Sequence, residues 1–418
     1  MYKKIGIIRE GKQPADRRTP LTPKQCHEVS LQGIDIAVQR SPVRAYTDAE
    51  YTAQNVRVTG DLTDRDLIIG VKEVPLEMLM AEKAYLIFSH TIKKQPHNAK
   101  LLRTVLDRRI TLIDHELLTD SKGNRVLAFG KWAGVVGAYN AIRAWQATHG
   151  GPALKPAHDC HDRIEMDQEL AAFPIPKDLR IVITGTGRVG HGAMETLDRV
   201  GFTKVSPADL LTEKFDGPVY TLLGSEDLYR RDDGKPFDRV AFHEDPTGHH
   251  ADFLPYVKRA NIYMACHFWD ARGPKILTAE DLRDPQRTLQ VVADISCDIG
   301  GPVDSTLRAS TIADPFFGYD IATGTECAVG KPGSVTVMSE DNLPCELPRD
   351  SSKSFGRDLM ERVLPNLIGE DNEGMIARAI IAKDGKLTEH YAYLADYAMG
   401  SGEPTSPSTR HSNDKKAV

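Results

Sequence analysis

Two apolar runs in this chain each stop on an ionisable residue. In "AYLIFSHTIKKQ", residues 84–95, a strand-like core segment gives way to His90; in "DLIIGVKEVP" the run Leu67 to Val71 closes on Lys72 and Glu73. A third, "VVADISCD", ends in Asp294. Histidine titrates near neutrality. A lysine desolvated beside other cations can lose its proton and act as a base. Arg17 and Arg18 in "ADRRTPLTP" could clamp a carboxylate with a bidentate fork. Each has a bland reading, since a lone histidine at a strand end is more often a satisfied polar residue and lysines are usually solvated. The chemistry needs a partner, and the second half of the chain offers one.

Ile181-Val182-Ile183 reads as a strand, and Gly185-x-Gly187-x-x-Gly190 opens a helix with Val189, Ala193, Leu197 and Val200 on its apolar face. The first glycine allows a tight turn and the second lets the backbone approach a pyrophosphate. The third lets helix and strand pack closely, and the helix N-terminus supplies amide donors. A lone G-x-G-x-x-G is a weak signal; between a strand and a helix it has the required context. The acid expected at the end of the next strand is not obvious in "FTKVSPADL". Ser206 stands near that place and could hydrogen-bond a 2'-phosphate, which leans the reading toward NADP(H) over NAD(H), although Asp209 could still play the acid's part. Hydride transfer to or from a carboxylate-bearing substrate is the chemistry that fits.

The elements that must position these groups are legible. "KIGIIRE", "IDIAVQ", "DLIIGVKE", "YLIFSH" and "ITLIDHE" read as buried strands. Between them, "TPKQCHEVSLQG" carries Thr22 as N-cap, Pro23 at the first helical position, Gln25 closing a capping box and Gly33 as a stop. "PHNAKLLRTVLDRR" has Leu101, Leu102, Val105 and Leu106 at helical spacing. This alternation predicts an α/β protein with mostly parallel sheets covered on both faces, and two such domains would leave a cleft between them. In such sheets ligands bind beyond the carboxyl ends of the strands. Lys72 and His90 would then line one wall of the cleft and the nicotinamide the other.

The predicted division is 1–133 plus 340–398 for the substrate domain, 134–339 for the NAD(P) domain, and a disordered tail over 399–418. "GVVGAYNAIRAWQATHG" reads as a long helix, His149 to Arg180 as a solvated linker around a short helix, and "GSVTVMS" as an added hairpin strand. "LPRDSSKSFGRDLMERVLPNLIG" reads as a helix returning to the first domain. The clusters His158-Cys160-His161 and His243–His250 lack standard ligand spacing, so loop placement without a metal is expected.

Charged residues make up 27% of the chain and the net charge is only -6, with no basic stripe, which argues against nucleic-acid binding. Six scattered cysteines without a C-x-x-C pair predict reduced thiols and a cytoplasmic setting. No apolar segment approaches the roughly 18 to 20 residues of a membrane helix, so no membrane partner is expected. Oligomeric state is not legible.

"IIREGKQPADRRTPLTP" followed by "GVKEVP" resembles the opening of the alanine dehydrogenase and transhydrogenase-subunit superfamily. "FSHTIKKQ", "RVLAFGKWAG", "DISCDIGG" and "DNLPCELPRDSSKSFGRDLM" resemble one branch of it, lysine-forming saccharopine dehydrogenase, also called lysine-2-oxoglutarate reductase. The resemblance spans roughly residues 3 to 368, with the length of the reductase part alone. It implies joining of the lysine ε-amine and the 2-oxoglutarate carbonyl as an imine that hydride from NAD(P)H reduces to saccharopine. It implies Lys72 as general base, His90 as general acid and Arg18 as carboxylate ligand, with Gln95, Arg125 and Phe129 lining the substrate side. Within the fingerprint Gly185-x-Gly187-x-x-Gly190, Gly187 and Arg188 would touch the cofactor phosphates, Asp294 with Ile295 would sit near the nicotinamide ribose, and the fold would be two Rossmann-like domains with an interdomain cleft. The long polar stretch after "EKFDG" resembles the NADP-using animal and plant type more than the shorter fungal NAD enzyme. The rival readings are an alanine dehydrogenase-like enzyme, a transhydrogenase subunit, and a catalytically silent nucleotide-binding protein on the same scaffold.

Overall fold

A computed structural model describes residues 2–400; the remainder of the expected tail lies outside the described residues. The strands of the first sheet are β1 (Lys4–Ile7), β2 (Asp35–Gln39), β3 (Arg57–Thr59), β4 (Leu67–Ile69), β5 (Ala84–Ile87) and β6 (Thr111–Asp114). A second sheet and a small ribbon follow, built from β7 (Arg180–Thr184), β8 (Thr203–Lys204), β9 (Val219–Leu223), β10 (Tyr229–Arg231), β11 (His249–Ala251), β12 (Ile262–Ala265), β13 (Val291–Asp294), β14 (Phe316–Asp320), β15 (Thr325–Cys327) and β16 (Ser334–Met338). The chain then returns to the first sheet with β17 (Ile380–Lys383) and β18 (Lys386–Leu387). The helices up to the second strand system are α1 (Pro23–Ser30), α2 (Asp48–Ala53), α3 (Ala99–Asp107), α4 (Gly130–His149), α5 (Arg163–Ala172), α6 (Arg188–Arg199), α7 (Pro207–Thr212) and α8 (Ser225–Leu228).

The two compact units divide between Ala128 and Phe129, and again between Leu347 and Pro348. The sequence placed these points at 133 and 340. Two packing facts move them. Helix α4 nests on α6 from its first turn: a Cβ on Gly134 would overlap the Val189 carbonyl, and one on Gly192 the Lys131 carbonyl. Leu343 and Leu347 sit in that same core.

In the first unit the sheet order is β18-β17-β6-β5-β4-β1-β2-β3, with β1 to β6 all parallel. Successive strands are added first on one side of β1 and then on the other, so the order switches between β1 and β4, the position where open α/β sheets hold ligands. The five strands read from apolar runs are all present, and α1 carries the Thr22–Gln25 capping box with Pro23 at its start. Short β3 and β18 carry no comparable apolar run. The returning segment forms one helical stretch, an α-helix over Pro348–Asp358, a π-turn over Leu359–Val363 and an α-helix over Leu364–Ile368. It is tied to the unit's beginning, where Thr19 N donates to Ser352 Oγ at 2.9 Å and Gln25 Nε2 donates to the Lys353 carbonyl at 2.9 Å.

In the second unit the order is β15-β14-β16-β13-β12-β7-β9-β8. Strand β16 pairs antiparallel with β14, as a hairpin strand would, and also in parallel with β13, which sets it inside the sheet. The segment 149–180 is not a solvated linker. Leu154, Ala157, Cys160, Met166 and Leu170 are buried in the unit's core, and His158 Nδ1 lies 3.2 Å from the buried Glu346 carboxylate. His249 and His250 lie on β11, paired with β10. Among the described residues no group of three or more His, Cys, Asp or Glu is arranged to hold a metal ion, and no helix is long and apolar enough to cross a membrane.

Candidate functional site

The first unit gathers ionisable groups where β1, β4 and β5 end. Glu10, three residues past β1, spans the switch point: its carboxylate accepts from the backbone N–H of Val71 at 2.7 Å and of Lys72 at 2.9 Å. Burial, then the charge of Asp16, raises its pKa above the usual carboxylate range. Lys72 is half-buried, and desolvation, followed by the charges of Arg18 and Lys12, lowers its pKa from the ordinary 10.5. Those are the conditions that give a lysine basic character.

Glu73 turns the other way and pairs with His90 through Oε1 and Nδ1. Desolvation opposes its ionisation, but the hydrogen bond and charge of His90 outweigh it, and the carboxyl falls to about 2. His90 itself is in the left-handed region (φ 52°), a conformation uncommon for a side-chain-bearing residue and one that marks functional turns. Its ring lies nearly parallel to Phe88, with centroids 6.2 Å apart. The preceding Ser89 is anchored by its N–H to the buried Asp114 at 3.0 Å, so the strand end is fixed before the histidine departs from it.

Arg18 is buried and its fork is engaged. Nε and Nη2 donate to the two oxygens of Asp16 at 3.0 and 2.6 Å. Asp16 thereby holds the guanidinium still and adds a negative charge at the place where the sequence expected only cations. Arg17 is exposed. Arg125 stacks its guanidinium over Phe88 at 5.3 Å and, with Lys93, flanks Glu116 at 3.5 and 3.1 Å. Gln95 is exposed, with its amide oxygen 3.4 Å from Asn98 Nδ2 and its carbonyl accepting from Tyr397 Oη at 2.6 Å. Phe129 belongs to the second unit, where it caps α4.

Three groups escaped the sequence reading. Glu10 follows the same rule as Lys72 and His90, an ionisable residue just past an apolar run, and "KIGIIRE" displayed it. Asp16 was legible only as a neighbour of Arg18. His115 gave no signal: buried between Phe88 and Phe355, it bonds the Gly70 carbonyl through Nε2 at 2.9 Å, and burial pushes its pKa down to about 3.

In the second unit the glycine loop has the form its sequence predicts. Gly185 has φ 98°, and a Cβ there would meet the Cys266 carbonyl at 2.6 Å. Gly190 sits against the Gly185 carbonyl, where a Cβ would overlap it. Around Gly187 the opposite holds, since a Cβ would find nothing within 4 Å. That open space over the N-terminus of α6, with Arg188 exposed in its first turn, fits a pyrophosphate. Here too the order switches beside the loop, between β7 and β12. His267, just past β12, bonds Thr184 Oγ1 through Nδ1 at 2.7 Å; its Nε2 is buried with no partner among the described residues, and desolvation pushes its pKa down to about 4.

Asp294 is fully buried at the end of β13. It accepts from Ser296 Oγ at 2.6 Å, Cys297 N at 3.0 Å and Thr306 Oγ1 at 2.7 Å, which makes it the organiser of the following loop. Ile295 packs its side chain onto Gly137 of α4. Ser206 is the N-cap of α7, accepting from Asp209 N at 3.1 Å. It follows β8, which is the edge strand; the strand beside β7 is β9. Ser206 is therefore one strand removed from the ribose-reading position on which the lean toward NADP(H) rested.

Comparison with known proteins places this geometry. Residues 6–136 match the family model "Alanine dehydrogenase/PNT, N-terminal domain". An alpha-aminoadipic semialdehyde synthase of Arabidopsis thaliana is 31% identical over 93% of this chain, although the chain spans only 41% of that protein. A saccharopine dehydrogenase [NAD(+), L-lysine-forming] of Emericella nidulans is 27% identical over 85% of the chain and 90% of its own length. Among solved structures, an L-alanine dehydrogenase superposes with a TM-score of 0.62 at 14% identity, covering 95% of this chain and 99% of the other, which shows a shared fold. The chain's homologues are thus the alpha-aminoadipic semialdehyde synthases and the L-lysine-forming saccharopine dehydrogenases, joined to the alanine dehydrogenase/PNT type through its N-terminal domain.

Proposed function

We propose that this chain is a nicotinamide-dinucleotide-dependent oxidoreductase that interconverts saccharopine with lysine and 2-oxoglutarate. The observation that carries the proposal is the set Lys72, Glu73–His90 and Arg18, held past the ends of parallel strands in a unit whose relatives include enzymes named for lysine formation from saccharopine. The dinucleotide, when bound over the glycine loop of the second unit, supplies or accepts the hydride. Lys72, with its lowered pKa, takes the proton that the lysine ε-ammonium must lose before its nitrogen can attack the oxo-acid carbon. His90, oriented by Glu73, gives a proton to the hydroxyl that leaves as water when the imine forms, and takes a proton from the attacking water in the reverse direction. Arg18, immobilised by Asp16, sets a positive field for a substrate carboxylate. Arg125 and Gln95 extend the substrate side. Gly187 and Arg188 contact the cofactor phosphates, and Asp294 with Ile295 shapes the loop nearest the nicotinamide ribose. A cytoplasmic setting completes the proposal.

The test runs the reaction in the oxidative direction. Purified protein with saccharopine and NAD+ or NADP+ should yield lysine and 2-oxoglutarate in equal amounts with the reduced dinucleotide, followed by mass spectrometry. Absence of both products from a protein that binds dinucleotide would refute the substrate assignment.

A further inference from the structure

In the usual dinucleotide-binding order, 3-2-1-4-5-6, the strand following the glycine-loop helix lies beside the first strand and ends in the acid that holds the adenosine ribose, ~20 residues past the loop. This chain departs from that order. From the glycine-loop strand outward the order is β7, β9, β8, so the second and third strands in sequence exchange places. Strand β8, where the acid would be sought, is a two-residue edge strand paired only with β9. The ribose-reading position therefore passes to the end of β9.

The register fixes which residues lie there. Thr184 pairs with Leu223, and Gly185 N donates to the Leu223 carbonyl at 3.1 Å, so the loops after β7 and β9 leave the sheet side by side. The chain past β9 reads Gly224-Ser225-Glu226-Asp227, with Gly224 as the N-cap of α8. Asp227 is engaged, its carboxylate accepting from Gly224 N at 2.9 Å. Glu226 is exposed, and no side-chain hydrogen bond or ion pair engages its carboxylate among the described residues. That carboxylate is folded back over the strand end, so close that a Cβ on Gly224 would lie 2.8 Å from it. Arg230 donates to the Glu226 carbonyl and lies 3.5 Å from Asp252, and the Glu226 charge acts on His243, whose pKa desolvation and then Arg239 push down.

We propose that Glu226 takes the adenosine ribose hydroxyls of the bound dinucleotide and makes the second unit an NAD(H) site that rejects the 2'-phosphate of NADP(H). The proposal rests on the dinucleotide reading of that unit and replaces the lean toward NADP(H) that Ser206 suggested. A carboxylate accepts both ribose hydroxyls and repels a phosphate in the same place.

Calorimetric titration of the full chain with NADH and with NADPH, without substrate, tests it. Wild type should bind NADH at least about tenfold more tightly than NADPH. Glu226→Gln should bring the two affinities to within about threefold, mainly by improving NADPH binding. Ser206→Ala, which removes only a helix cap, should leave the wild-type ratio in place. Equal or tighter NADPH binding by wild type, or an unchanged ratio in Glu226→Gln, overturns the assignment of Glu226. Binding of neither dinucleotide by folded wild type overturns the dinucleotide reading itself, and the assignment with it.

Discussion

Two glycines of one loop should fail in opposite ways when each is replaced by alanine. At Gly190 the new methyl would overlap the Gly185 carbonyl, so strand and helix must part. Overpacking of this kind costs ~1–3 kcal/mol, which lowers the melting temperature of a domain of this size by roughly 2 to 12 °C. At Gly187 the methyl meets no atom within 4 Å, and φ of -83° suits any residue. Loss of the glycine cap is offset by reduced freedom of the unfolded chain, leaving a net change within about 0.5 kcal/mol. The same methyl fills the space a pyrophosphate would enter, so dinucleotide affinity should fall by about tenfold or more, equivalent to ~1.4 kcal/mol. Differential scanning fluorimetry and calorimetric titration on both variants give the two readouts. Gly187→Ala with wild-type affinity would refute the pyrophosphate placement, and Gly190→Ala melting with wild type would refute the close strand–helix contact.

Lys72→Met should reduce kcat by about 10² to 10⁴ while leaving the melting curve intact, and an unchanged rate would remove Lys72 from the mechanism. Since burial lowers its pKa, the base form gains population below pH 10.5, and folding is relieved of a cost as pH rises through the folded value; the rate should climb on that limb and flatten in Lys72→Met. Glu73→Gln should cost about 2–3 kcal/mol at pH 7, because a carboxyl held at about 2 stabilises the fold fully above the unfolded value near 4.5 and loses that contribution as pH falls toward 2. Urea unfolding at pH 7 and pH 4 checks this, and an offset that does not shrink on acidification would contradict it. In the second unit Glu340 is buried beside Glu346, and burial, then the charge of Glu346 and a hydrogen bond with it, pushes its pKa up to about 10. A carboxyl raised by folding favours the fold below the unfolded pKa and opposes it as pH rises above that point, so Glu340→Gln should stabilise at pH 8 by ~1–3 kcal/mol and by less at pH 5. Destabilisation at both pH values would show that the carboxyl is held by partners.

The chemistry-bearing strand ends were legible because each is a local event, an apolar run closed by an ionisable side chain, and Lys72, His90 and Asp294 stand where those runs stop. Glu10 obeys the same rule. What local pattern does not encode is adjacency. Nothing in "FTKVSPADL" says that its strand goes to the sheet edge, or that "VYTLL" takes the place beside β7, because strand order is settled by packing of the whole sheet. For the same reason the sequence showed Arg18 as a carboxylate clamp but not Asp16 folded onto it, and Asp294 at a strand end but not the hydrogen bonds that tie its oxygens to its own loop. The unit boundary was misjudged by several residues at each end, because the glycines that let α4 lie against α6 are silent in a hydrophobicity pattern.

The most direct measurement follows dinucleotide absorbance at neutral pH with lysine plus 2-oxoglutarate, and separately with ammonia plus pyruvate. Oxidation of the reduced dinucleotide with the first pair alone, with saccharopine as the product, is the result this account predicts. Oxidation with ammonia and pyruvate instead would give the site to a small amino-acid dehydrogenase, and silence with both pairs from a folded, dinucleotide-binding protein would contradict the proposed catalytic roles of Lys72 and His90.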